Sequence, residues 1–136
     1  MTPPFFAALT EALAEAVKYN IRYNTRDDKG ETRAERNARF HVPELTPEAP
    51  EIPEQVEHVW AWFWEISGQR ASGMGGAEPI AWRDFSEWSR LTGNELRPEE
   101  LQMLIDMDAA FRSALADERK PQEETQEPER LQKPPT

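Results

Sequence analysis

Apolar residues recur at three- and four-residue steps near the start of the chain: Phe5, Leu9, Ala12, Leu13, Ala16, Val17 and Ile21. That spacing draws one face of an α-helix and predicts a helix over residues 4–21. Pro3 and Pro4 suit its first turn, where a missing N–H costs little. The pattern then stops. Residues 18–39 carry Lys18, Arg22, Arg26, Lys29, Arg33, Arg36 and Arg39. Almost nothing apolar separates them from Thr25 onward, so a solvated loop with at most a frayed helical turn is expected. From Phe40 to Gln69 no Lys or Arg occurs, and Pro43, Pro47, Pro50 and Pro53 punctuate a Glu-rich stretch. Proline removes a backbone donor and disfavours helix in the residue before it. This stretch therefore reads as extended, either a semi-rigid linker or an arm laid on a surface.

Helical spacing returns with Val56, Val59, Trp60, Phe63 and Ser67 on one stripe, flanked by Trp62, Trp64 and Ile66, which predicts a helix over 54–67. Four glycines fall between Gly68 and Pro79, marking a flexible connection. Trp82, Phe85, Trp88 and Leu91 follow at three-residue steps and predict a helix over 81–92, with Gly93 placed as its stop. Pro98 opens a helix over 98–116, with Glu99 and Glu100 near the positive end of its dipole. Leu101, Leu104, Ile105, Phe111 and Leu115 are expected on its buried face. After Asp117 the chain is polar and holds four prolines and a single Leu, too little apolar area to offset ordering entropy. No alternating run is long enough for a strand. The expectation is an all-α fold: an N-terminal amphipathic helix (1–23), a charged and then proline-rich linker (24–52), a helical module (53–116) and a disordered tail (117–136).

Composition narrows the classes. Of 136 residues 38% are apolar and 31% charged, so a core spanning the whole chain is not expected. Six Phe and five Trp can still drive a small one, since each buries about 150–250 Å². With 16 basic and 26 acidic residues the formal net charge is −10. That excess argues against a nucleic-acid binder that tracks phosphates and favours a partner with a basic face. The chain has no Cys, which excludes disulfides, thiolate–metal ligation and a thiol nucleophile. No apolar run approaches the roughly 20 residues of a membrane helix. The first residues lack the basic start of a signal peptide and carry Glu11 and Glu15. A soluble intracellular protein is expected.

Catalytic groups are scarce. His41 lies in the proline-rich arm, and His58 sits four residues after Glu54 on one helix face. The second ligand pair of a metal site is missing, so no metal and no cofactor is expected. Gly73, Gly75 and Gly76 do not form a phosphate loop, because no strand precedes them and no Lys is nearby. Asp108 is the exception among the acids. It falls on the apolar stripe between Leu104 and Phe111, where a carboxylate needs a partner. Arg70 and the indole N–H groups of Trp60, Trp82 and Trp88 are the candidates. Trp60 and Phe63 are assigned to the core. Trp62 and Trp64 diverge from that stripe, because residues two apart differ by about 200° around a helix. At least one of them is exposed or covered by another element, and the first helix is the obvious cover.

Trp60 begins a longer pattern. It continues through Gln69-Arg70, Gly73, Gly75-Gly76, Pro79-Ile80, Trp88, Leu91-Thr92-Gly93, Leu96, Pro98, Glu100, and Met107-Asp108 with an aromatic at 111. In order and spacing this stretch, about residues 57–115, resembles the small tail assembly chaperones of tailed bacteriophages and prophages. The resemblance implies a non-enzymatic helical protein of the host cytoplasm that holds the tape-measure protein while tail-tube subunits polymerise around it. It implies no nucleic acid and no membrane, and self-association stays open. The contact surface is then expected on Trp62, Trp64, Trp82 and Trp88, beside Arg70 and the adaptable Met74. Trp60, Gly73, Gly75, Gly76, Gly93 and Asp108 are expected to be structural. Two other readings stay open: a structural tail or head–tail connector component, and an acidic inhibitor that mimics nucleic acid.

Overall fold

The computed structural model describes residues 4–70, 72–73 and 76–132, with side chains over 4–70 and 77–118. Five helices account for most of it: α1 (Pro4–Asn24), α2 (Arg33–Arg39), α3 (Glu57–Ser67), α4 (Trp82–Thr92) and α5 (Pro98–Gln132). Single 3-10 turns lie at Pro43–Leu45 and Glu54–Val56. Between α3 and α4 a minimal antiparallel hairpin pairs β1 (Ser72–Gly73) with β2 (Gly76–Ala77). The protein is all-α apart from that pairing.

The core joins four helices. Leu9, Leu13 and Val17 enter from α1, Val59, Phe63 and Ile66 from α3, Phe85 from α4, and Met103, Leu104, Met107 and Ala110 from α5. Val56, in the turn before α3, completes the cluster. The N-terminal helix is thus part of the same core as the module that follows it. Its packing along α5 is the most extensive contact between any two elements. The two helices run in the same direction. Phe5 and Leu9 share a cleft with Glu99 and Met103, whereas Arg22 reaches Glu118 at 3.6 Å. Parallel neighbours need a long connection, and everything from Thr25 to Arg97 supplies it.

That connection is more ordered than its composition suggests. Asp27 Oδ1 accepts the backbone N–H groups of Lys29 and Glu31, both at 2.9 Å. Gly30, at φ 80°, provides the left-handed turn that brings Thr32 back to pair with Arg26. Thr32 then caps α2: its hydroxyl accepts the N–H of Glu35, and Glu35 accepts the N–H of Thr32. This is a reciprocal capping box, which stands in the sequence as Thr-x-x-Glu. The proline-rich arm folds back over these elements. Tyr19 donates to the carbonyl of Pro47 at 2.8 Å, and Asn37 donates to the Thr46 hydroxyl at 2.8 Å.

Three expectations need correction. Residues 33–39 are helical rather than loop, because the capping box offsets the unfavourable nucleation of a short helix. Trp60 is half-buried, and Val59, Phe63 and Ile66 take the centre of the core. Finally, α5 does not stop at 116: the helix continues to Gln132. Glu, Gln, Lys and Arg are strong helix formers, and extending an existing helix needs no new nucleus. Pro121 and Pro128 remove two backbone donors without ending it.

Two outcomes follow. Leu104 is fully buried, so Leu104→Ala should lower unfolding free energy by about 2–5 kcal/mol in urea titration. Removing residues 120–136 should shift the midpoint little, and a larger loss on truncation would contradict this placement of the core. Near Asp27 the effect of pH can be signed. The N–H groups of Glu31 and Lys29 hold the Asp27 carboxyl below its ordinary value, and the Arg39 guanidinium does the same for Glu31. Their stabilisation is present above the ordinary carboxylate range and is lost as pH falls through the lowered values. The protection factors of the Lys29 and Glu31 amides, measured relative to the intrinsic exchange rate at each pH, should fall as the pH is taken down through the lowered carboxylate values.

Candidate partner-binding surface

The segment between α3 and α4 is fixed by one buried ion pair. Gly68 ends α3 still in a right-handed conformation, and two residues later the Arg70 side chain turns inward. Arg70 lies 2.5 Å from Asp108 Oδ1, with their side chains only 7% and 5% exposed. The guanidinium also donates to the carbonyl of Glu78 at 2.9 Å and the Ser67 hydroxyl at 3.1 Å. Its carbon sits 4.4 Å from the centre of the Phe111 ring. The other carboxylate oxygen of Asp108 accepts the N–H of Ile80 at 3.1 Å and Arg112 Nε at 3.2 Å. The Oδ1 contact is an ion pair by distance but lacks hydrogen-bond geometry, and Arg70 Nε has no partner. The pair therefore ties both ends of the segment, Arg70 and Glu78–Ile80, to α5. Arg70, expected on the contact surface, is instead inside the protein.

The tryptophans divide into two groups. Trp64 packs edge-on against Trp60 at 5.5 Å and against Phe63 and Phe111, on the side of the Arg70 pair. Trp62 faces the other way. It meets His58 at 4.8 Å and Trp88 of α4 at 5.3 Å, both edge to face. Trp88 is half-buried, and its indole nitrogen is enclosed without an acceptor. Trp82 is 72% exposed, and so is Leu91. A strict three-residue repeat explains both. Each step lags a full turn by about 60°, so the stripe from Trp82 to Leu91 walks about half-way round α4. Phe85, near its middle, is buried, and both ends leave the core.

Gly93 stops α4 at φ 77°, its N–H bonded to the carbonyl of Ser89 at 3.0 Å. Gly73 and Gly76 face each other in the hairpin. Met74 and Gly75 lie outside the described residues. At the start of α4, Ala81 has no side-chain acceptor, and Asp84 supplies half a cap by accepting the Ala81 N–H at 2.9 Å.

Two clefts flank the Trp62–Trp88 contact. One, of about 580 Å³, lies between the beginning of α1, α3 and the entry to α5, with Phe5, Phe6, Leu9, Trp62 and Met103 among its walls. The other, of about 410 Å³, lies between the end of α3, Pro79–Ala81 and α4, with Trp88 on one side. The sequence did not reveal the first, because α1 and residues 95–103 come together only through the parallel packing of α1 on α5. His58, weighed above against Glu54 as half a metal site, instead meets Glu100 at 2.6 Å. Among the described residues no three His, Asp or Glu side chains converge to hold a metal ion. No helix there is long and apolar enough to cross a membrane.

The described residues thus form a small helical module with aromatic-lined clefts. Family comparison makes this specific: residues 36–113 match the model of the phage tail assembly chaperones, and the chain belongs to that family. The match begins within α2, so it takes in the proline-rich arm that the resemblance read from the sequence had left out. It excludes α1 and the end of α5. Searches of curated proteins and of solved structures find no match.

Removing the Asp108 charge should leave Arg70 buried and uncompensated. Asp108→Asn is expected to cost about 3–5 kcal/mol in chemical denaturation. The double variant Arg70→Met, Asp108→Leu should lose less than the sum of its single changes. Additive losses would mean that the pair does not act as a unit.

Proposed function

We propose that this tail assembly chaperone holds a helical segment of the tape-measure protein in the host cytoplasm until tail-tube subunits enclose it, by binding and without chemistry. Family membership supports the setting. The observation that carries the contact surface is the Trp62–Trp88 pair set between two clefts, with Trp82 standing 72% exposed at the start of the same helix. An amphipathic helix laid in a groove presents anchors at i, i+3, i+4 and i+7, and aromatic-walled clefts accept such anchors. Exposed Trp is enriched among residues that dominate binding energy. The Glu-rich arm from Glu44 to Glu57 adds long-range attraction for Lys-rich stretches, which salt weakens. Trp64, turned towards Phe111, contributes to the frame more than to the contact.

Co-expression with the tape-measure protein of the same genome, followed by pull-down, tests this reading. The wild type should capture and solubilise that protein. Trp82→Ala should reduce capture by about tenfold while leaving the thermal midpoint nearly unchanged. A wild type that captures nothing, or that is found in mature particles at structural copy number, would favour a connector component. Preferential capture of the tail-tube protein would move the role to the other tail partner.

A further inference from the structure

We infer that the cleft between α1, α3 and the entry to α5 takes a basic amphipathic helix, one whose apolar anchors are bordered by Lys or Arg, and that α1 gives this chain its selectivity. The inference rests on the reading above that the partner is the tape-measure protein, and it names the kind of segment bound. The cleft measures about 580 Å³, within the roughly 300–1,000 Å³ of sites that enclose apolar ligands. Phe5, Phe6 and Leu9 form one wall and Val56, Val59 and Trp62 another, with Met103 among the lining residues. Phe5 is 58% exposed although it lines the cleft, so it has apolar surface left to cover.

The charge at the mouth selects the occupant. Glu95, Glu99 and Glu100 line it against Arg97 and the His58 ring. Glu100 is engaged on both oxygens, by His58 at 2.6 Å and by the Arg97 N–H at 3.0 Å. Glu95 is exposed and Glu99 half-buried at the rim. An apolar floor with an acidic margin complements anchors flanked by cations and repels an acidic helix. The formal net charge of −10 acts in the same direction at long range.

The N-terminal wall lies outside the region that the family model matches. The family match begins at residue 36, so Phe5, Phe6 and Leu9 lie outside it, whereas Trp62, Glu95, Glu99 and Met103 lie inside. Without α1 the cleft is an open face of α3 and α5. A wall built from a segment beyond the shared region can match one partner sequence while the common frame stays fixed.

The test uses the full chain and overlapping synthetic peptides spanning the tape-measure protein of the same genome, with affinity measured by fluorescence anisotropy at low and high salt. The wild type should select peptides that combine apolar helical anchors with Lys or Arg, and bind them more weakly as salt rises. Phe5→Ser should weaken binding about tenfold. Glu95→Lys with Glu99→Lys should weaken it comparably at low salt and flatten the salt dependence. Circular dichroism and thermal midpoints should stay near wild type, since Phe5 and Glu95 are exposed and Glu99 is only partly covered. If the wild type binds peptides but these variants bind equally well, or if acidic peptides are selected, the cleft is not the site while the tape-measure reading survives. If the wild type binds neither the peptides nor the intact tape-measure protein, both readings fall.

Discussion

The Arg70–Asp108 ion pair is the constraint on which the rest of the structure depends. A carboxylate on the inner face of α5 is costly to bury, and a guanidinium brought from the end of α3 compensates it. Because Arg70 also binds Glu78 and Ser67, and Asp108 also binds Ile80, the pair fixes where the α3–α4 connection leaves and where it returns. The start of α4 at Trp82 follows two residues after Ile80. The placement of Trp82, Phe85 and Trp88 therefore descends from one buried contact. Apolar packing alone would leave α4 free to slide, since it contributes only Phe85 as a fully enclosed anchor.

Around that pin the molecule separates a stiff frame from an adaptable surface. Leu13, Val17, Val59, Phe63, Leu104 and Met107 make the frame. Trp64, Trp60 and Phe111 close it on the side of the ion pair. On the opposite side Trp62 and Trp88 meet edge to face and leave a cleft on either flank. Such an arrangement would suit the proposed holding and later release of a helical partner. Enclosed aromatics keep the clefts in shape, and a few exposed ones supply contact area with little entropy left to lose.

Much of this was readable in the sequence where the signal was local. Helical spacing placed α1, α3 and α4 to within three residues, because their stripes are long and their ends carry Pro or Gly. Asp108 announced itself as an acid on an apolar stripe, and Arg70 was among its few possible partners. Composition misled at two places. Basic residues and prolines read as loop and tail, while the Thr32–Glu35 capping box and the helix-forming Glu, Gln and Lys of the tail carried the opposite information. The role of α1 was legible only in part: the first helix was the expected cover for the divergent tryptophans, but its alignment with α5 was not legible. Its place beside α5, and the cleft its first turns wall, depend on contacts between residues far apart in the chain. Exposure of Leu91 was implicit in the three-residue repeat, once the drift of that repeat around the helix is counted.

The central claim is that a frame pinned by Arg70 and Asp108 presents the Trp62–Trp88 side of the molecule to a helical partner. Hydrogen–deuterium exchange with and without the tape-measure protein addresses it most directly. In the free chain, the Ile80 amide should already be among the slowest outside the helices, since it is held by Asp108. On binding, new protection should gather at the first turns of α1, at residues 56–62 and at 95–103, with little change at α2 or beyond residue 116. Protection confined to α2 and the proline-rich arm, or a rapidly exchanging Ile80 amide in the free protein, would contradict the account.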